Sequence, residues 1–112
     1  DYRLFSKTRL GDTDVRLAPQ HPADFAGRAV ALVDDICSSG GTLIKAAEML
    51  KASGAREVIA CVTHALFDAS VERRLRAAGV EEIASTDSVL HPTNSISLAS
   101  LLANALRDEA QP

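Results

Sequence analysis

The chain has 112 residues, 46% of them hydrophobic and 24% charged, with a formal net charge of −3. That is the make-up of one globular domain with one modest core, and it lacks the basic excess that marks a nucleic-acid partner. No apolar run is long enough to cross a bilayer and the start carries no secretory pattern, so a cytoplasmic protein with no membrane partner is expected.

Residue 1 is Asp rather than Met, and the chain is expected to be a fragment of a longer protein. The stretch "RLFSKTRLGDTDVRLAP" (residues 3–19) reads as two extended pieces around a Gly-Asp bend, a hairpin or flexible loop, and residues 20–27 read as a connection. "RAVALV" (28–33) is a buried strand ended by acids. Leu43, Ala46, Ala47 and Leu50 then share one helix face, with Gly54 as the stop. "EVIACVTH" (57–64) is a second buried strand. Asp68 or Ser70 caps a second helix with Val71, Leu75 and Ala78 inward and Gly79 as its stop. "VEEIAST" (80–86) is a third, weaker strand, followed by a loop. "SLASLLANALR" (97–107) places Leu98, Leu101, Leu102 and Ala105 on one face of a last helix.

Strands alternating with helices predict an α/β fold, a parallel sheet with flanking helices and right-handed crossovers. The expected division is an extended N-terminal segment, 1–27, and a main domain, 28–112. The two cysteines, Cys37 and Cys61, lack metal-like spacing and read as reduced thiols. The three histidines are scattered, so no zinc site is expected. His64 reads as a strand-end packing residue rather than a catalyst, and Cys61 as core.

The chemistry concentrates in "LVDDICSSGGT" (32–42). In open α/β sheets, ligands bind beyond the carboxyl ends of the strands. There, Ser38, Ser39, Gly40, Gly41 and Thr42 lead directly into a helix, whose start offers unpaired N–H groups and partial positive charge. Glycines admit an anion close to the backbone, and the hydroxyls add donors, so the turn reads as a phosphate cradle. It is neither a Walker loop, which needs a Lys-Ser/Thr pair, nor a dinucleotide fingerprint, whose glycines are spaced. Asp34 and Asp35 would repel a bare phosphate. They make sense if the ligand presents hydroxyls, as a ribose 5-phosphate does, with Mg²⁺ on those hydroxyls offsetting the charge. A capped helix start beside two solvated aspartates accounts for each feature singly, but less well for all together. Successive strand side chains point opposite ways, so one of the two aspartates is open to a structural role.

"VALVDDICSSGGTL" resembles the phosphoribosyl pyrophosphate (PRPP) motif of type I phosphoribosyltransferases and of PRPP synthetases, the ribose-phosphate pyrophosphokinases. "THALF" (63–67) is similar to the segment after the next strand in the synthetases, and "SKTRLGD" (6–12) resembles their catalytic flexible loop. The likeness implies a type I phosphoribosyltransferase-like fold and the C-terminal half of a synthetase, which moves the pyrophosphoryl group of ATP to ribose 5-phosphate. It implies ribose 5-phosphate held by Asp34, Asp35 and Ser38 through Thr42, charge stabilisation by Lys7 and Arg9, Mg²⁺ as cofactor without a dedicated protein metal site, and ATP and further copies of the chain as partners. Lys7 and Arg9 lie two apart, so an extended backbone presents them on one face. The turn departs from many bacterial members, which carry Asp in its middle, and Ala65 replaces a small Gly or Pro. Without the family's N-terminal domain the isolated chain is expected not to turn over.

Two readings compete: a base-specific phosphoribosyltransferase using PRPP, and a non-catalytic regulatory homologue that keeps sugar-phosphate binding. A signalling receiver domain also opens with an acid pair, but it has no use for Ser-Ser-Gly-Gly-Thr.

Overall fold

The computed structural model describes the backbone of residues 2, 5–9, 15–19 and 22–111, and the side chains of Tyr2 and residues 24–111. Strands β1 (Phe5–Arg9) and β2 (Val15–Pro19) pair antiparallel, from Phe5↔Pro19 to Arg9↔Val15. β2 runs beside the first α-helix. A short 3-10 turn, Pro22–Phe25, delivers Phe25 to the core. The alternation then follows: β3 (Ala29–Cys37), α1 (Gly41–Ala52), β4 (Glu57–Ala65), α2 (Ala69–Ala77), β5 (Glu82–Thr86), β6 (Asn94–Ile96) and α3 (Ala99–Ala110).

The sheet order is β3-β4-β5-β6, all parallel. Strands laid down in sequence order by right-handed crossovers place their helices on one face. Accordingly α1 and α2 pack together. Between them and the sheet lie Leu32, Val58, Ala60, Val62 and Ile83, met by Leu43, Ile44, Ala46, Ala47, Leu50, Val71 and Leu75. Leu50, Leu75 and Val58 are fully enclosed, and each such side chain contributes about 1.5–3 kcal/mol by leaving water. Ala78 packs against the edge of this core, and Asp68 caps α2 by accepting from the amides of Ser70 and Val71.

Three expectations change. β3 does not stop at Val33 but runs through both aspartates to Cys37, paired to β4 as far as Cys37↔Ala65. The stretch expected to be loop after β5 contains a fourth strand, β6. The last helix forms, but none of its residues is buried, and Leu101 and Leu102 are exposed. The opposite face of the sheet is likewise open. Ala29, Ala31 and Val33 on β3 are exposed, Val33 to 79%, and Ile59, Cys61 and Ala84 are half-buried. An apolar run such as Val30–Val33 suits a strand covered on both sides; the described residues cover one.

Candidate functional site at the carboxyl edge of the sheet

Alternation along β3 leaves Asp34 half-buried on the helix side with Leu32, and Asp35 exposed. Asp34 Oδ1 accepts from the Asp35 amide at 2.8 Å, and Asp35 Oδ1 accepts from the Ile36 amide at 2.8 Å. Interaction with the Asp34 side chain first, and then the Ile36 amide, hold the Asp35 carboxyl below its ordinary range. This stretch of β3 thus carries two adjacent carboxyl groups, one turned toward the helices and one exposed. Behind it, burial first and then the Asp34 charge push the Cys37 thiol up.

Past Cys37 the chain turns through Ser38 and Ser39 into α1. Gly40 is the N-cap, with φ 77° and ψ 0°, and no side chain caps the helix. The first helical bond runs from the Ile44 amide to the Gly40 carbonyl at 2.8 Å. Among the described residues, the amides of residues 38–43 and the hydroxyls of Ser38, Ser39 and Thr42 donate to no protein group. An uncapped start of a three-turn helix, with its N–H groups free and hydroxyls alongside, suits an anion.

The two glycines have separate tasks. A Cβ on Gly40 would lie 2.6 Å from Val71 Cγ1 of α2, on a backbone that L side chains rarely adopt. Gly40 therefore lets the turn seat against the core. A Cβ on Gly41 would meet only Ser39 Oγ, at 3.9 Å, so the space on the outer side of the turn is open.

The next strand supplies a group that spacing did not single out. His64 stands opposite Ile36 in the sheet register. Its Nδ1 lies 2.7 Å from Ser88 Oγ, which in turn donates to the Thr63 carbonyl at 3.0 Å. Only the sheet order, which puts β5 next to β4, joins residues this far apart. Asp87 is structural: its Oδ1 accepts from the Leu98 amide at 3.0 Å, at the N-cap of α3. Cys61 lies on the open face, half-buried rather than enclosed.

Lys7 and Arg9 fall on β1, opposite Leu17 and Val15. They are two apart on a strand, as the same-face reading requires; their side chains, and residues 10–14 at the bend, lie outside the described residues. Among the described residues no three His, Cys, Asp or Glu side chains gather as a metal set, and no helix is long and apolar enough to cross a membrane.

Comparison with known proteins gives this edge its context. The chain is 38% identical over 108 residues to the ribose-phosphate pyrophosphokinase of Methanopyrus kandleri, covering 96% of this chain and 37% of the relative. It is 43% identical over 77 residues to ribose-phosphate pyrophosphokinase 1 of Archaeoglobus fulgidus, covering 69% of this chain and 27% of the relative. The crystal structure of phosphoribosylpyrophosphate synthetase from Mycobacterium smegmatis superposes with a TM-score of 0.66 at 29% identity, over 96% of this chain and 36% of that one. The chain thus spans about a third of the length of the curated relatives it matches. The model of the phosphoribosyl synthetase-associated domain matches residues 19–107, most of the chain and all of the sheet, and the chain belongs to that family.

Proposed function

We propose that this chain is the C-terminal, phosphoribosyltransferase-like part of a ribose-phosphate pyrophosphokinase, and that it holds ribose 5-phosphate. The observation that carries the reading is the pairing of unclaimed N–H groups at the start of α1 with two adjacent acids on the strand that leads into it. The 5-phosphate sits on the amides and hydroxyls of Ser38, Ser39, Gly40, Gly41 and Thr42, where the helix start favours negative charge. The sugar hydroxyls donate to Asp34 and Asp35. The names of the relatives favour this over a base-specific transferase built on the same cradle.

The acid pair fits a hydrated Mg²⁺. That ion keeps several waters and is held by one or two carboxylates together with substrate oxygens, not by a dedicated protein cage. Asp34 and Asp35 would hold it against the ligand hydroxyls, and it would supply positive charge beside the phosphoryl groups. In the complete protein, Lys7 and Arg9 face the pyrophosphoryl group passing from ATP to the anomeric hydroxyl. Lys supplies a mobile point charge and Arg a fork matched to phosphate oxygens. Such transfer depends mainly on positioning and electrostatic stabilisation. The isolated chain binds the sugar phosphate without turning it over.

Titration calorimetry of ribose 5-phosphate against this chain and Gly41→Val tests the reading. The variant fills the outer side of the cradle while leaving the Gly40 contact intact. Loss of binding with an unchanged melting profile is expected; equal affinity of the two proteins refutes the assignment.

A further inference from the structure

His64 has its ring fixed by a closed set of hydrogen bonds. The Thr63 carbonyl can only accept, and it receives two hydroxyls: Thr86 Oγ1 at 2.6 Å and Ser88 Oγ at 3.0 Å. The Ser88 amide donates to Thr86 Oγ1 at 3.2 Å, which holds Ser88 in place. With its single hydrogen directed at the carbonyl, Ser88 Oγ presents a lone pair to His64 Nδ1 at 2.7 Å. Nδ1 therefore carries the ring hydrogen, and Nε2 is left as an acceptor. Among the described residues, Nε2 has no protein partner.

His91, the other described histidine, shows the contrasting arrangement. Its Nε2 donates to the Phe67 carbonyl at 2.8 Å, and its Nδ1 accepts from the Thr93 amide at 3.2 Å. Its ring packs against Phe67, tilted by 54° with centroids 4.4 Å apart. Both nitrogens are consumed, and the ring is structural. His64 alone of the two offers a nitrogen at the carboxyl edge. It does so half-exposed, across from Ile36, which directly follows the acid pair.

We infer that His64 is a positioning residue of the sugar site, its Nε2 accepting a hydrogen bond from a hydroxyl of a ribose phosphate seated in the cradle beside Asp34 and Asp35. This rests on the sugar-phosphate reading above. A hydroxyl is the partner that fits, because a neutral acceptor nitrogen has nothing to offer a phosphate oxygen. Ser88 serves the site indirectly, by setting which ring nitrogen carries hydrogen, and Thr63 and Thr86 anchor Ser88 in turn.

The test is calorimetry of this chain with two probes, ribose 5-phosphate and inorganic phosphate, the second reaching only the cradle. His64→Asn keeps a side-chain donor near the Nδ1 position and deletes Nε2. His64→Gln places an amide oxygen near the Nε2 position. Asn is expected to weaken ribose 5-phosphate about 5–10-fold, the scale of one hydrogen bond, and to leave inorganic phosphate unchanged. Gln is expected to restore part of the loss. Nitrogen NMR of the wild-type ring is expected to show hydrogen on Nδ1, and a shift at Nε2 on adding ribose 5-phosphate but not phosphate. If wild type binds ribose 5-phosphate and His64→Asn binds it equally, or loses both probes equally, the role assigned to His64 is overturned while the cradle stands. If wild type binds neither probe, the cradle reading itself falls and this inference with it.

Discussion

Gly40→Ala is the sharpest probe of how the cradle is built. The substitution forces an L side chain onto a backbone with φ +77° and sets its Cβ 2.6 Å from Val71 Cγ1. The left-handed conformation costs about 1–2 kcal/mol for a residue with a Cβ, and overpacking a fitted core costs a further ~1–3 kcal/mol. The expected loss is about 2–5 kcal/mol, a large share of the stability of a domain of this size. Urea unfolding followed by circular dichroism reads it directly as a lower midpoint at unchanged slope. Gly41→Ala is the control: its Cβ meets only Ser39 Oγ at 3.9 Å, and replacing Gly at a compatible position is neutral or stabilising by about 0.4–1 kcal/mol. Adding Val71→Ala to Gly40→Ala removes the clash but not the backbone strain, so the double variant is expected to lose less than the sum of the singles. A Gly40→Ala protein as stable as wild type, or a strictly additive double variant, would refute the division of labour between the two glycines.

Asp35 and Asp68 both have carboxyls lowered from the ordinary 3.8, Asp35 chiefly by the neighbouring Asp34 side chain and then the Ile36 amide, and Asp68 chiefly by its bond from the Ser70 hydroxyl. Groups with lowered folded values stabilise the protein above their unfolded value and lose that contribution as pH falls through the folded one. The urea midpoint should therefore fall as pH drops below 3.8, and Asp68→Ser, which keeps a cap without the charge, should flatten that fall; an unaltered acid limb contradicts it. Alkylation of the native protein at neutral pH should modify Cys61, half-buried on the open sheet face, and spare Cys37, which is buried with its thiol pushed up; mass mapping that finds Cys37 labelled first would contradict the packing. In a complete protein containing this chain, Lys7→Ala should collapse the turnover rate with little change in sugar affinity, because its interaction is made chiefly in the transition state; steady-state kinetics showing an unchanged rate removes Lys7 from the mechanism.

Much of this fold could be read along the chain. Helix faces at α1 and α2 follow a spacing of three and four, and the apolar run of β4 announces a strand, although it reads as fully buried and the structure encloses only alternate residues of it. The turn into α1 was legible for the same reason: small hydroxylated residues and adjacent glycines before a helix are a local signal that needs only neighbours. β6 was not legible, because Asn94–Ile96 is three residues long, too short for any period to declare itself. The apolar stripe of α3 has a helical period, but periodicity reports a face and not what covers it.

The amino-acid order by itself determined the alternating α/β architecture and the small hydroxylated turn that leads into α1, since each follows from residues within one turn or one strand of each other. Tertiary structure alone decided which glycine serves the fold, because Val71 comes from another helix, and which histidine keeps a free nitrogen, because Ser88 reaches His64 only when β5 lies beside β4. Local chemistry depends on what the chain places next in sequence, whereas packing contacts and ring tautomers depend on what the folded sheet places next in space.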